Sequence, residues 1–499
     1  MEIRMLREKC FKTSDKCKRC VLYVVLAIIP IIGAWVLLLK YNIHVSALSI
    51  FNSQWNDELS YYKQIEGIMR YGMPQGYFGY NESKAMIGTY GPWSPVLLIP
   101  YAIIFRIIGL GTYKILLVNL VLCSLTLIGI THLLELNWMP AISIAGLFAA
   151  NANIIRYTMS ISPEIIIMLG TLWMICFLYK YENSSDDKYY WAYIAIMTYL
   201  SLSRGYYVIF GVAGIFIAKR KRVKLITALI AICTAIAYLL IIHFFCSPYF
   251  RSLVNTDLMK LLFTSPKLFV KESSDIIIDG FSKTFKSILE IKNRDAFGGV
   301  YYFFSYVVII LLMFGGILKK CKTAILGALS FLFIILSIWL LYDVDTGTRH
   351  LMGGALGLIS VFLIILSFGN IQRGIVTIAI WGTVALLTFY CETDFVIKPP
   401  IVDEKLEREI DKADIQLAYS DNRWDNTVIW SIDCDYRYLY CLPKGVGINL
   451  CTNEYVMKND VNSKYVTINN DNDDLVTYVC DKGWKLIKRI GGISLYVIR

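Results

Sequence analysis

The chain has 499 residues, of which 57% are hydrophobic, 14% aromatic and only 17% charged. A water-soluble protein of this length carries about a quarter charged residues, so the composition excludes an ordinary soluble enzyme and indicates a polytopic membrane protein. The formal charge of +11 does not indicate nucleic acid, because the basic residues sit in short runs such as "KRKRVK" (219–224) and "KKCK" (319–322), flanked by apolar stretches as in cytoplasmic loops.

A basic tail, residues 1–20, precedes "VLYVVLAIIPIIGAWVLLLK" (21–40), which is long enough to span a hydrocarbon core. No small-residue cleavage site follows it, so it reads as a signal anchor with the amino terminus in the cytoplasm. The first external loop, 41–113, then opens with "NSQWNDELSYY" (52–62), where Asp57 and Glu58 form an adjacent acidic pair. Within that loop "PWSPVLLIPYAIIFRIIG" (92–109) holds three prolines and Arg106. A crossing there would turn "KRKRVK" and "KKCK" outward, so this stretch is expected to lie on the outer surface as an amphipathic helix.

Further apolar segments run at 114–134, 139–157, 163–180, 191–203, 205–218, 223–245, 300–318, 323–342, 351–369 and 374–391. With the anchor they make eleven crossings and a transmembrane domain over 21–391. "NIQR" (370–373) then falls inside. "SPE" (162–164), "SRG" (203–205), a second long loop over 246–299 and "DVDTGTRH" (343–350) fall outside. From 392 the chain turns charged and mixed: short β-prone runs such as "TVIWSI", "KYVTI" and "ISLYVI" alternate with turn-rich "PKGVG" and "NNDND". The expected fold is therefore mainly α, a polytopic membrane domain, with a small extracytoplasmic α/β domain over 392–499.

Thirteen cysteines are scattered along the chain, and Cys17 with Cys20 makes a lone CxxC that carries no metal signal by itself. Cys434, Cys441, Cys451 and Cys480 share the last region and could pair if the compartment oxidises them.

The ionisable residues near hydrocarbon converge on the outer side, and such residues are costly unless paired or hydrated. Asp57 and Glu58 read either as the acidic start of a helix, where the dipole favours them, or as a general base and its support. Glu164 follows Ser162 and Pro163, a good helix start, and reads as the cap of its helix or as a catalytic carboxylate. Arg204 separates two short hydrophobic segments and reads as a snorkelling arginine or as a phosphate clamp. Arg349 and His350 stand in polar "DTGTRH" and read as an interfacial pair or as part of the same site. The loop aromatics Trp55, Tyr61, Tyr62, Tyr77, Tyr80, Tyr90 and Trp93 read as interfacial belt and packing. The chain contains no GxxxxGK[ST], HExxH, GxSxG or GxGxxG motif, so a membrane-borne donor fits an outward site better than a cytosolic nucleotide.

Taken together, the N-in first helix, the Asp-Glu pair opening a long external loop, "YGPWSPVLLIPY", the acid in "RYTMSISPEIII" and the cation in "YLSLSRGYYVIFG" resemble the GT-C superfamily of integral-membrane glycosyltransferases. The likeness is nearest to the branch of the protein O-mannosyltransferases and aminoarabinose transferases, and it covers about residues 20–245. It implies a polyprenyl-phosphate-linked sugar as donor, Asp57 as base and Glu58 as its support. It also implies that Arg204 holds the lipid phosphate, with Lys84 or Arg70 sharing that task. The oligosaccharyltransferase motif WWDYG is missing, so the acceptor, whether glycan, lipid or protein, stays open.

A lipid phosphate leaves without a proton, so one base suffices and inversion at the sugar carbon is expected, unlike glycosidases with two carboxyl groups. A divalent cation could support the leaving phosphate, though Asp57 and Glu58 alone do not establish one. The reading is thus a hexosyl- or pentosyltransferase of a bacterial cell membrane, partnered by the bilayer and not by nucleic acid. The alternatives are a transporter or flippase of lipid-linked saccharides, an anchored binding module, and a surface-polysaccharide polymerase or ligase.

Overall fold

The computed structural model describes residues 2–40, 56–72, 77–82, 89–90, 94–150, 154, 157–158, 164–247, 256–289, 309–341, 413, 415–417, 423–443 and 446–498. The apolar segments expected at 351–369 and 374–391 lie outside them. Tail and anchor form one helix, α1 (Glu2–Lys40), with Pro30 inside it. Then come α2 (Asn56–Tyr71), α3 (Ile99–Ile108), α4 (Thr112–Leu133) and α5 (Trp138–Ala150). They are followed by α6 (Glu164–Ser184), α7 (Asp187–Ser203), α8 (Phe210–Ile217) and α9 (Lys221–Phe245). The helical part ends with α10 (Thr256–Thr264), α11 (Pro266–Leu289), α12 (Ile309–Lys319) and α13 (Lys322–Leu341).

Among the described residues, five helical stretches are long and apolar enough to cross a membrane: Cys17–Val36, Lys114–Leu133, Glu164–Ser184, Lys221–Phe244 and Lys322–Leu340. Pro95–Ile108, Gly205–Ile217 and Ile309–Lys319 are apolar but shorter. The start of the first of these follows its sequence. Ser94 Oγ accepts from Val96 N at 3.3 Å and Pro95 stands in the first turn, where a missing N–H costs nothing.

Helices α6 and α7 pack along each other, α1 lies against α4 and α5, and α13 lies against α6 and α8. Close approach is built in where α1 meets α5: a Cβ on Gly33 would come within 2.5 Å of the Ala149 backbone. Small residues serve membrane bundles in this way because packing, not water exclusion, holds helices together there. On α9, Leu225, Leu229, Ile232, Ile236 and Leu239 form one exposed stripe at helical spacing, a face suited to hydrocarbon and not to water.

The ends of α4 and α6 and the start of α13 meet at one end of the bundle. Lys180 pairs with Glu135 at 3.1 Å, and Glu182 accepts from Lys322 N, Thr323 N and Thr323 Oγ1 at 2.7, 2.8 and 2.6 Å, capping α13.

The strands gather into a six-stranded sheet and a short pair. They are β1 (Tyr77–Tyr80), β2 (Thr89–Tyr90), β3 (Cys246–Ser247), β4 (Thr427–Ser431), β5 (Gly447–Cys451), β6 (Tyr465–Asn469), β7 (Lys485–Ile490) and β8 (Ile493–Val497). The sheet order is β1-β5-β4-β6-β8-β7, parallel from β1 to β6 and antiparallel at β8 and β7. Two helices, α14 (Asn453–Lys458) and α15 (Asp473–Asp481), cover the face bearing Ile429, Val466 and Ile468. The opposite face, with Val428, Trp430, Ile448 and Leu450, joins the core cluster that runs through the membrane helices. Both faces being covered, β4 and β5 are buried along their whole length, as parallel strands require.

Strand β1 belongs to the first loop, not to the carboxy-terminal region: Tyr77, Gly79 and Tyr80 pair with Ile448, Asn449 and Leu450. The pair β2–β3 likewise joins the first loop to the start of the second long loop. Both loops and the sheet therefore share one side of the molecule. Cys434, Cys451 and Cys480 stand as thiols, the first two buried.

Candidate active site

The acidic pair opens a helix. Asn56 begins α2, so Asp57 and Glu58 occupy its first turn, where the exposed N–H groups and the dipole favour carboxylates. Further along the helix Tyr61, Tyr62, Lys63, Gln64, Ile65 and Glu66 are all buried, which fixes α2 between neighbours. It packs on α3 and its leading 3-10 turn on one side, and on β1 and the 3-10 turn Tyr436–Cys441 of the carboxy-terminal domain on the other. Arg70 lies in the last turn of α2. Lys84, Arg349 and His350 lie outside the described residues.

Glu164 and Arg204, 40 positions apart, meet. Arg204 Nη2 donates to Glu164 Oε1 at 2.8 Å, with the two side chains 1% and 2% exposed. The local fold explains the meeting: α6 starts at Glu164, α7 ends at Ser203, and Arg204 adopts extended backbone between α7 and the 3-10 turn Gly205–Ile209. The interruption of the apolar run at "SRG" thus delivers a guanidinium to the first residue of the neighbouring helix. Arg204 Nη1 also donates to Tyr206 Oη at 3.3 Å. Tyr206 leans on Tyr207, whose hydroxyl accepts from Thr171 Oγ1 at 3.3 Å.

A second buried polar chain lies across α3 and α4. Tyr101 Oη donates to Asn119 Oδ1 at 2.5 Å, and Asn119 Nδ2 donates to the Thr158 carbonyl at 2.9 Å. The tyrosines Tyr101, Tyr206 and Tyr207 and the amide Asn119 are polar groups that sequence reading missed. The only signal for two of them was their place directly after Arg204 in "SRGYY".

Electrostatically, a carboxylate and a guanidinium taken out of water each lose several kcal/mol of hydration, so such a pair persists only with good geometry and added hydrogen bonds. Here the 2.8 Å contact and Tyr206 supply both. The arrangement keeps a cation poised in a dry region near the first-loop side of the bundle. No group of three or more histidine, cysteine or acidic side chains arranged for a metal ion occurs among the described residues.

No family model matches the chain, and no curated protein matches it in sequence. Solved structures do. ArnT from Cupriavidus metallidurans bound to undecaprenyl phosphate superposes with a TM-score of 0.52 at 10% identity, over 96% of this chain and 98% of that one. The fold is similar to that of ArnT. The apo form of ArnT gives a TM-score of 0.49 at 10% identity, over 97% of this chain and 98% of its own. The likeness to the ArnT fold covers 96% of this chain, membrane helices and carboxy-terminal sheet alike, and is thus wider than the resemblance over residues 20–245.

Proposed function

We propose that this protein is a membrane glycosyltransferase that moves a sugar from a polyprenyl-phosphate carrier to a hydroxyl acceptor outside the cytoplasm. One observation carries the reading: an acidic first turn, Asp57-Glu58, on a buried loop helix, within a fold that in ArnT holds undecaprenyl phosphate. In this reading Asp57 takes the proton of the acceptor hydroxyl as its oxygen bonds to the anomeric carbon. The bond from that carbon to the phosphate oxygen breaks, and its electron pair leaves with the lipid phosphate. The sugar carbon inverts, since a single displacement takes place. Glu58 orients the base, and Glu164 holds Arg204.

A cation near the leaving group stabilises the charge that grows there. Arg204 takes that role in this reading, and Arg70, Lys84, Arg349 and His350 are the further candidates for it. The acceptor class, the choice of hexose or pentose and the outward orientation belong to the same reading, as do the boundaries 21–391 and 392–499.

The test is turnover of radiolabelled polyprenyl-phosphate sugars in proteoliposomes by wild type and Asp57→Asn. The expected result is sugar release that Asp57→Asn abolishes with insertion unchanged. Release undiminished in the variant refutes the base, and lipid movement across the bilayer without release indicates a transporter.

A further inference from the structure

The first loop is stitched to the carboxy-terminal domain by one carboxylate. Glu82 Oε1 accepts from Ser463 N at 2.7 Å and Ser463 Oγ at 2.6 Å. Its Oε2 accepts from Asn462 N at 2.8 Å, Asn462 Nδ2 at 3.3 Å and Tyr455 Oη at 3.4 Å. The residue before it adds two more ties: Asn81 N donates to the Leu450 carbonyl at 2.8 Å, and Asn81 Oδ1 accepts from Thr452 N at 3.1 Å.

Asn81 and Glu82 sit at φ of 47° and 51°, left-handed backbone that is unfavourable for a glutamate. Such backbone persists only where surrounding contacts over-determine it, and the two oxygens of Glu82 do so. Burial, followed by the nearby Glu82 charge, pushes the Tyr455 hydroxyl up to about 12.

The latch matters because of what stands on either side of it. Strand β1 is an edge strand of four residues, at the short end of the usual range, and only residues 72–76 separate it from α2. The same helix is gripped a second time: Lys63 Nζ, paired with Glu66 at 3.0 Å, donates to the Leu442 carbonyl at 3.2 Å, and both side chains are buried. A helix is a rigid rod rising about 1.5 Å per residue, so a tilt set at Lys63 and at β1 is transmitted to the first turn at Asp57 and Glu58.

We propose that Glu82 is a positioning residue: it latches the first loop onto the carboxy-terminal sheet and thereby sets the orientation of the α2 turn that carries Asp57 and Glu58. The carboxy-terminal domain is then part of the catalytic unit, not an appended module. This rests on the assignment of Asp57 as base.

The test compares wild type, Glu82→Ala and Glu82→Gln as full-length proteins in lipid nanodiscs, by amide hydrogen exchange and by donor turnover. Glutamine keeps one acceptor oxygen but turns an NH2 toward one set of N–H donors, so it should fall between the other two. The expected result is faster exchange in residues 56–71 in the order wild type, Glu82→Gln, Glu82→Ala, with α6 and α13 unchanged. In the same order kcat should drop, by about 10- to 100-fold for alanine, because a base misplaced by about 1 Å loses that much. The donor KM should stay within about twofold, as for a group acting in the chemical step, and the unchanged exchange in α6 and α13 separates this from a general loss of folded protein.

Unchanged exchange in α2, or unchanged kcat despite faster exchange, overturns the proposal. Ser463→Ala, which removes one donor only, serves if Glu82→Ala does not fold, and the same two readouts decide. Wild-type protein that turns over no donor refutes the assignment of Asp57 instead, and the exchange comparison then decides the latch by itself.

Discussion

Replacing Arg204 by methionine removes the guanidinium that neutralises Glu164 in a region where both side chains are at most 2% exposed. An exposed ion pair is worth about 0–1 kcal/mol, whereas breaking a buried one costs about 3–5 kcal/mol because a charge remains in low dielectric. The 2.8 Å contact places this pair in the second class, so Arg204→Met and Glu164→Leu should each lower unfolding stability by about that amount. The double variant Glu164→Leu/Arg204→Met leaves neither charge and should be more stable than either single, so the coupling in the cycle should be at least about 3 kcal/mol. The assay is denaturant unfolding in detergent micelles, followed in parallel with donor turnover. If Arg204 serves the donor phosphate, the double variant folds and is inactive. A double variant that loses about the sum of the two single losses, with coupling under about 0.5 kcal/mol, would refute the pairing argument.

Two further outcomes can be checked. Glu182→Ala removes the acceptor for two backbone N–H groups and one hydroxyl at the start of α13, and should destabilise by about 1–2 kcal/mol, seen as faster amide exchange at Lys322 and Thr323. At Asp433 burial opposes ionisation, but hydrogen bonds from Ser431, Asn472 and Asn453 outweigh it and hold the carboxyl below its ordinary value of 3.8. A lowered pKa contributes stability that is present above the ordinary value and lost as pH falls through the folded one. The stability gap between wild type and Asp433→Leu should therefore narrow as acid unfolding is followed from pH 5 downward, and a gap independent of pH would contradict the assignment.

Much of this molecule is written in local pattern. Hydropathy is summed over neighbours in the chain, so stretches such as 114–134 and 323–342 could be read as spans, and they appear as α4 and α13. The break at "SRG" marked Arg204 as special for the same reason: a charge interrupting an apolar run is visible without coordinates. Asp57 and Glu58 were legible as a helix start, because acids complement the N–H groups of a first turn. Alternation and turn residues near the carboxy terminus announced a sheet.

What the sequence alone determined, then, was membrane class, the apolar helices, the acidic turn and a terminal α/β domain, because each follows from residues close together in the chain. Tertiary structure decided who meets whom. Glu164 and Arg204 were separate ambiguities until folding brought them to 2.8 Å. Tyr77 and Tyr80 read as belt aromatics, since four residues, "YFGY", are too few to declare a strand until β5 stands beside them. Glu82 gave no signal at all, because its donors include backbone N–H groups about 380 positions away. Any residue but proline carries such a group, so no side-chain pattern in the partner segment can announce the contact.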